Sequence, residues 1–173
     1  MDEEQTRGWK TYRYPSGDTF RYPQYLVLSR RGNLIKLRHS IRFKHDDPCD
    51  YSDEPRTLSS LVDFDVSFEL VSRGKEIPDI ESLPSNLIIT VGSLKGLSEQ
   101  FSSEGCGEYN YTFPLARGRF LFVRREIIGM FSFGAQKFGD EEIALKKTGI
   151  IGPEQEERLS MTILSTFKLA EVK

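Results

Sequence analysis

The sequence predicts an α+β domain built mainly from an antiparallel sheet of seven to eight strands, with two or three short helices. Three observations carry that reading. Leu34 to Lys44 alternates without a break: Ile35, Leu37, His39, Ile41 and Phe43 fall on one side, and Lys36, Arg38, Ser40, Arg42 and Lys44 on the other. Val62 to Leu70 alternates as cleanly, with Val62, Phe64, Val66, Phe68 and Leu70 against Asp63, Asp65, Ser67 and Glu69. Twelve Phe and seven Tyr in 173 residues favour strands over helices.

In chain order, residues 1–10 read as a disordered tail apart from Trp9, and 11–173 as one domain. Thr11 to Tyr14 is a short strand ended by the turn Pro15-Ser-Gly-Asp18, and Gln24 to Arg30 is β-prone. Arg31-Gly32-Asn33 turns the chain into the first alternating strand, since Gly-Asn tolerates positive φ. His45 to Pro55 is a polar loop with five acids, and Thr57 to Leu61 a helical turn before the acidic strand. Gly74 to Pro84 reads as a loop with a helical turn at Asp79 to Leu83. Leu87 to Val91 reads as a central strand buried on both faces, and Leu94 to Phe101 as a weak helix interrupted by Gly96. Tyr109 to Phe113, closed by Pro114, and Arg119 to Arg125 are further strands; Ile127 to Phe138 is apolar and Gly-interrupted, strand or helix. Asp140 to Lys147 carries the best helix signal, acids first and lysines last, before Gly149. Leu159, Met161, Ile163, Phe167 and Leu169 suggest a long closing strand.

The basic face of the first alternating strand is the candidate functional surface. Lys36, Arg38, Arg42 and Lys44 would lie along roughly 30 Å of strand. Arg30 and Arg31 precede them, and Arg124 and Arg125 close an aromatic-interleaved strand that suits nucleic-acid phosphates and bases. The anion could be RNA or lipid phosphate. The net charge of −2 means that any such binding depends on local clustering. The acidic strand decides the matter. Paired beside the basic one, it neutralises these cations across the ladder; standing apart, it leaves them free.

Nothing points to catalysis. His39 sits on an apolar face and His45 among loop acids, which reads as solvated; neither has a predictable nucleophile or third partner. The acids of residues 46–54 match no calcium or zinc spacing, and Gly105-Cys106-Gly107 lacks the context of a phosphate loop. The expectation is therefore a non-enzyme with no cofactor, metal or small-molecule substrate. Cys49 and Cys106 read as free thiols in a reducing compartment. The acidic start resembles no signal or transit peptide, and no run reaches the ~20 apolar residues of a membrane span. Membrane contact, if any, is expected to be peripheral.

Tyr22-Pro23-Gln-Tyr-Leu26 resembles the short Tyr-Pro-x-x-Leu pattern by which viral structural proteins recruit budding machinery. Leu159-Ser-Met-Thr-Ile-Leu164 is similar to a Thr/Met-rich strand of animal rhabdovirus matrix proteins, and Gly107-Glu-Tyr-Asn-Tyr-Thr-Phe-Pro114 to their Gly/Tyr/Pro-containing stretch. In overall form the chain resembles the matrix protein of a plant rhabdovirus of the cytorhabdovirus type. The basic N-terminal tail and the Pro-Pro-x-Tyr motif of the animal-virus members are absent. The resemblance implies a structural protein of the virion and host cytoplasm that self-associates, condenses the nucleocapsid and meets the inner face of the envelope. Two other readings fit the same pattern: a lipocalin-like ligand-binding β-barrel, with Gly8-Trp9 near its start but without the Gly-x-Trp spacing, and a viral accessory or movement protein.

Overall fold

A computed structural model describes residues 6–72, 84–103, 106–128 and 140–170. The architecture is α+β and mostly antiparallel. A hairpin pairs β1 (Lys10–Arg13) with β2 (Thr19–Tyr22). The main sheet holds seven strands: β3 (Val27–Arg31), β4 (Leu34–Asp46), β5 (Thr57–Ser72), β6 (Ile88–Val91), β7 (Leu94–Ser103), β8 (Cys106–Leu115) and β9 (Arg119–Ile127). Their spatial order is β3-β4-β5-β9-β8-β7-β6, every pair antiparallel. The described sheet is open, with β3 and β6 at its edges, rather than closed into the barrel that a lipocalin-like reading requires. Two helices follow, α1 (Asp140–Leu145) and α2 (Pro153–Ser165).

The two long alternating segments are β4 and β5, and they are neighbours. Arg38 faces Asp65, Lys36 faces Ser67 and Leu34 faces Glu69. Ile35, Leu37, Phe64, Val66 and Phe68 all point inward and are buried, as period 2 demands. Two register shifts interrupt the pairing, between His39 and Ser40 and between Arg42 and His45. The first leaves Asp63 as an extra residue on β5, a β-bulge. Beyond it, residues 40–46 and 57–62 continue as a two-stranded arm past the register of β9, whose pairing with β5 spans Val66 to Ser72.

One face of the sheet is covered. Phe20 of the hairpin stacks on Phe68 at 4.8 Å, and Leu159, Ile163, Leu164 and Phe167 join the same core. Each of these fully buried aromatics and aliphatics contributes roughly 1.5–3 kcal/mol. A second small core, Phe43, Leu61 and Ala144, seats the arm against α1.

Several expectations are corrected. Leu159–Leu169 is not a closing strand: residues 153–165 form α2. Pro153 occupies the first turn after Gly152, Glu154 and Glu156 lie at the positive end of the dipole, and the buried residues Glu156, Leu159, Ser160, Ile163 and Leu164 recur at helical spacing. Leu159, Ile163 and Phe167 are four apart, a spacing shared by both periods; burial of Ser160 and Leu164, which a strand would turn outward, selects the helix. The strand likeness drawn from Leu159 to Leu164 goes with it. Leu94–Phe101 is strand β7, not a helix. A Cβ on Gly96 would lie 2.2 Å from the Thr112 carbonyl oxygen, so the glycine marks close approach of β8. Thr57–Leu61 opens β5, and β6 is an edge rather than a central strand. Within the expected tail, Thr6 is buried and receives Arg21 Nη1 at 2.7 Å, so order extends to residue 6 at least. The reading of Asp79–Leu83, and most of that of Ile127–Phe138, lies outside the described residues.

The cysteines are not free. Cys49, in the loop joining β4 to β5, and Cys106, at the start of β8, form a disulfide. A separation of 57 residues hides this pairing from spacing arguments.

Candidate functional site: the outer face of the sheet

The inner face is filled, and the opposite face of the sheet is the less covered one among the described residues. Register gives its rows. Lys36, Ser67, Arg124, Asn110 and Glu99 run across β4, β5, β9, β8 and β7; beside them run Leu34, Glu69, Phe122, Thr112 and Leu97. Together with Val71, Phe120 and Glu126, all of these but Leu97 line a groove of about 630 Å³. Its floor is part apolar, through Leu34, Val71, Phe120 and Phe122, and its walls are charged.

The electrostatics are self-contained. Asp65 is only 2% exposed in its side chain, and two cations converge on it. Lys36 Nζ lies 2.9 Å from Asp65 Oδ2 and 3.5 Å from Glu126 Oε1. Arg38 Nε and Nη2 both donate to Asp65 Oδ2, at 2.9 and 2.8 Å. Arg124 Nε lies 3.0 Å from Glu108 Oε2. Against Lys36, Arg38, Lys95 and Arg124 stand Asp65, Glu69, Glu99, Glu108 and Glu126 on the same face, so its cations are matched by acids. Strand pairing has brought about the neutralisation that the acidic strand threatened.

The other anticipated anion-binding residues part company. Arg125 points inward and is buried, 4.2 Å from the centre of the Tyr109 ring. Its Nη1 lies 3.5 Å from Glu156 Oε2, yet Nε and Nη1 have no hydrogen-bond partner among the described residues. Burial is the chief cause that raises the Glu156 carboxyl above its ordinary range, against the pull of Arg125 and a hydrogen bond from Ser160. Burial also pushes the neighbouring Tyr111 hydroxyl up to about 12. A guanidinium held in this way is unavailable to a phosphate. Arg30 Nε donates to the Gly32 carbonyl at 2.9 Å, and Arg31 is exposed at the β3 edge. Arg42 and Lys44 are exposed on the arm, where Ser60 faces Arg42 across the ladder, and neither has an ion-pair partner among the described residues. The anticipated cations that stay exposed without an ion pair are thus divided between two ends of β4, roughly 35 Å apart for Arg31 and Lys44 at the usual rise per residue.

Tyr22, Pro23 and Leu26 do not present a peptide motif. Pro23 and Leu26 are buried, Leu26 N–H donates to the Pro23 carbonyl at 3.2 Å, and Tyr22 packs against the core.

The polar clusters that do form were not legible from spacing. Asp63, the bulged residue, is fully buried; it accepts His39 Nδ1–H at 2.7 Å and the Ile151 N–H at 2.8 Å, tying β4, β5 and the α1–α2 connection. Asp18 is also fully buried and accepts Arg119, Ser16 Oγ–H and the Ala170 N–H. Burial alone would raise the Asp18 pKa; the hydrogen bonds from Ser16, Ala170 and Arg119, with the guanidinium charge, outweigh it and hold the carboxyl below its ordinary range. His45 is buried and stacked on Phe43 rather than solvated, and its Nε2 has no partner among the described residues. Each of these carboxylates is saturated by structural donors. Among the described residues no group of three or more His, Cys, Asp or Glu side chains is placed to hold a metal ion.

What these features define is a class: an α+β protein whose described main sheet is open and antiparallel, packed on one face by the hairpin and α2. No protein-family model, curated protein or solved structure matches the chain.

Proposed function

We propose that this chain is a non-catalytic assembly protein of the matrix type: copies associate, and the assembled surface bridges a ribonucleoprotein and the inner face of an envelope membrane. The observation that carries the reading is the open sheet with its exposed edges among the described residues. Natural sheets shield edges with charges, prolines or covering elements. Here β6, Ile-Ile-Thr-Val, has neither charge nor proline, and edge strand β3 carries Arg30 and Arg31 at one end but leaves Val27 68% exposed at the other. Such edges suit pairing between copies. No helix among the described residues is long and apolar enough to cross a membrane, which is compatible with peripheral contact.

The anion-gripping role falls to Arg30, Arg31, Arg42 and Lys44, since Lys36, Arg38, Arg124 and Arg125 are engaged internally. Four contacts give weak binding per copy, multiplied when an assembly presents many copies. The test is RNA and anionic-liposome binding by wild type and a variant with all four replaced by Gln. Wild type should show a slope of log affinity against log salt of about −2.8 on single-stranded RNA, at ~0.7 per contact. The variant should lose both affinity and slope. Equal binding by the two proteins would refute the assignment.

A further inference from the structure

We propose that the Cys49–Cys106 bond is a redox-operated latch, which in its oxidised form pins the acidic loop 47–56 to the β7–β8 end of the sheet and on reduction releases it without unfolding the domain. Four features of the junction support a latch over a permanent staple. First, Cys49 is exposed, as are Tyr51 to Glu54 beyond it, so an external thiolate can reach the sulfur. Second, contacts beside the sulfur bond lie at the surface: Tyr51 Oη–H donates to the Ser103 carbonyl at 3.2 Å in an exposed position, and the Pro48 carbonyl lies 3.7 Å from Cys106 Sγ. Third, the loop holds its own shape. Arg56 Nη2 donates to Asp47 Oδ2 at 2.6 Å, Asp50 accepts the Ser52 and Arg56 N–H groups, and Thr57 Oγ1–H donates to Asp46. Fourth, the base of the arm is anchored independently through Phe43, Leu61 and Ala144. Breaking the sulfur bond therefore frees a preformed loop on an intact domain.

The loop also borders a trough of about 830 Å³, lined by Cys49, Phe101, Cys106, Glu108, Glu126 and Ile127 among others. Phe101 is already 56% exposed there. Release of the loop widens this trough and uncovers Phe101 and Ile127, an apolar surface that the oxidised form confines. The latch thus gives the chain a closed and an open form, whatever it binds.

The exchange requires a reductant, taken here to be a dithiol. Its thiolate attacks Cys49 Sγ, the protein S–S bond breaks, and Cys106 leaves as a thiolate that takes a proton from water. The second thiolate of the dithiol then attacks the mixed disulfide. Cys49 is released as a thiol, the reagent ends as a cyclic disulfide, and two electrons have passed to the protein.

The test uses the full chain with dithiothreitol as the probe. Without reductant, alkylation under native conditions should add no label. With dithiothreitol it should add two, while far-ultraviolet circular dichroism stays unchanged. Cleavage within 47–56 by a protease selective for acidic residues should rise about tenfold or more on reduction, because proteolysis tracks the open population. Cys49→Ser and Cys106→Ser should show the fast cleavage with or without reductant. Labelling before reduction, a bond that yields only when the domain unfolds, or a reduced loop as resistant as the oxidised one would each overturn the latch.

Discussion

At the scale of single residues, buried aspartates organise this molecule, and each answers to different donors. Asp65 is the clearest, because it converts a basic stripe into a closed ion-pair cluster with Lys36 and Arg38. Both cations keep substantial exposure, so solvent screens the pairs and their contribution is modest. Asp65→Asn should cost about 1 kcal/mol of stability. It should also free both cations, steepening the salt slope of RNA binding from about −2.8 to about −4.2. Denaturant titration and binding at several salt concentrations check the two outcomes; an unchanged slope would mean that these side chains never meet the ligand. Asp18 gives a pH prediction. Its pKa is lower folded than unfolded, so its stabilisation is present above the ordinary carboxyl value of 3.8 and is lost as pH falls through its own depressed value. Acid unfolding of wild type should therefore show an added loss of stability below about pH 4, and Asp18→Asn should lack that part of the transition. Which face each aspartate occupies was legible from alternation for Asp65. It was not for Asp63, whose inward position comes from a bulge that no local composition marks.

At the scale of elements, the sequence was most readable where one period ran long and least where two periods agree. β4 and β5 follow their alternation nearly residue for residue, and the Gly32-Asn33 turn joins β3 to β4 as its chemistry requires. In α2 the four-residue spacing of Leu159, Ile163 and Phe167 satisfies strand and helix alike, and Pro153 with its early glutamates was the deciding signal. Gly96 misled in the opposite direction: a glycine that weakens a helix also permits two strands to crowd. Its role is testable. A Cβ there would lie 2.7 Å from Phe113 Cδ1 as well as against the Thr112 carbonyl, so Gly96→Ala should destabilise by about 1–3 kcal/mol through overpacking. Thermal melts of the variant check this; a melting temperature equal to wild type would mean that β7 and β8 part easily. The disulfide belongs to this scale too. Closing a loop of this length should stabilise by about 4 kcal/mol on chain-entropy grounds, an upper figure if the unfolded chain keeps structure. Comparing wild type with Cys49→Ser in denaturant measures that contribution apart from any effect on the loop's release.

At the scale of the whole molecule, the distribution of charge and of open edges bears on how copies meet. The sheet centre is electrostatically satisfied, while Arg31 at one end and Arg42 and Lys44 at the other stay unpaired among the described residues, on a chain whose net charge is only −2. Copies therefore repel little as wholes, and the cationic ends of one copy can attract exposed acids of another at low salt, where the screening length grows to about 30 Å at 0.01 M. Edge pairing would then fix the contact, since backbone hydrogen bonds at β3 and β6 need a partner strand and neither edge is blocked by proline. These two contributions separate by experiment. Sedimentation velocity should show species larger than the monomer as salt falls and protein concentration rises. Placing lysine on both edges, with Val27→Lys and Thr90→Lys, should keep the chain monomeric at low salt, because an edge charge opposes strand addition without touching the core. The four-fold Gln variant of Arg30, Arg31, Arg42 and Lys44 should instead keep assembling while losing RNA. If the edge variant assembles as wild type does, pairing at β3 and β6 is not how copies join, and a wild type that stays monomeric throughout removes the matrix-type reading itself.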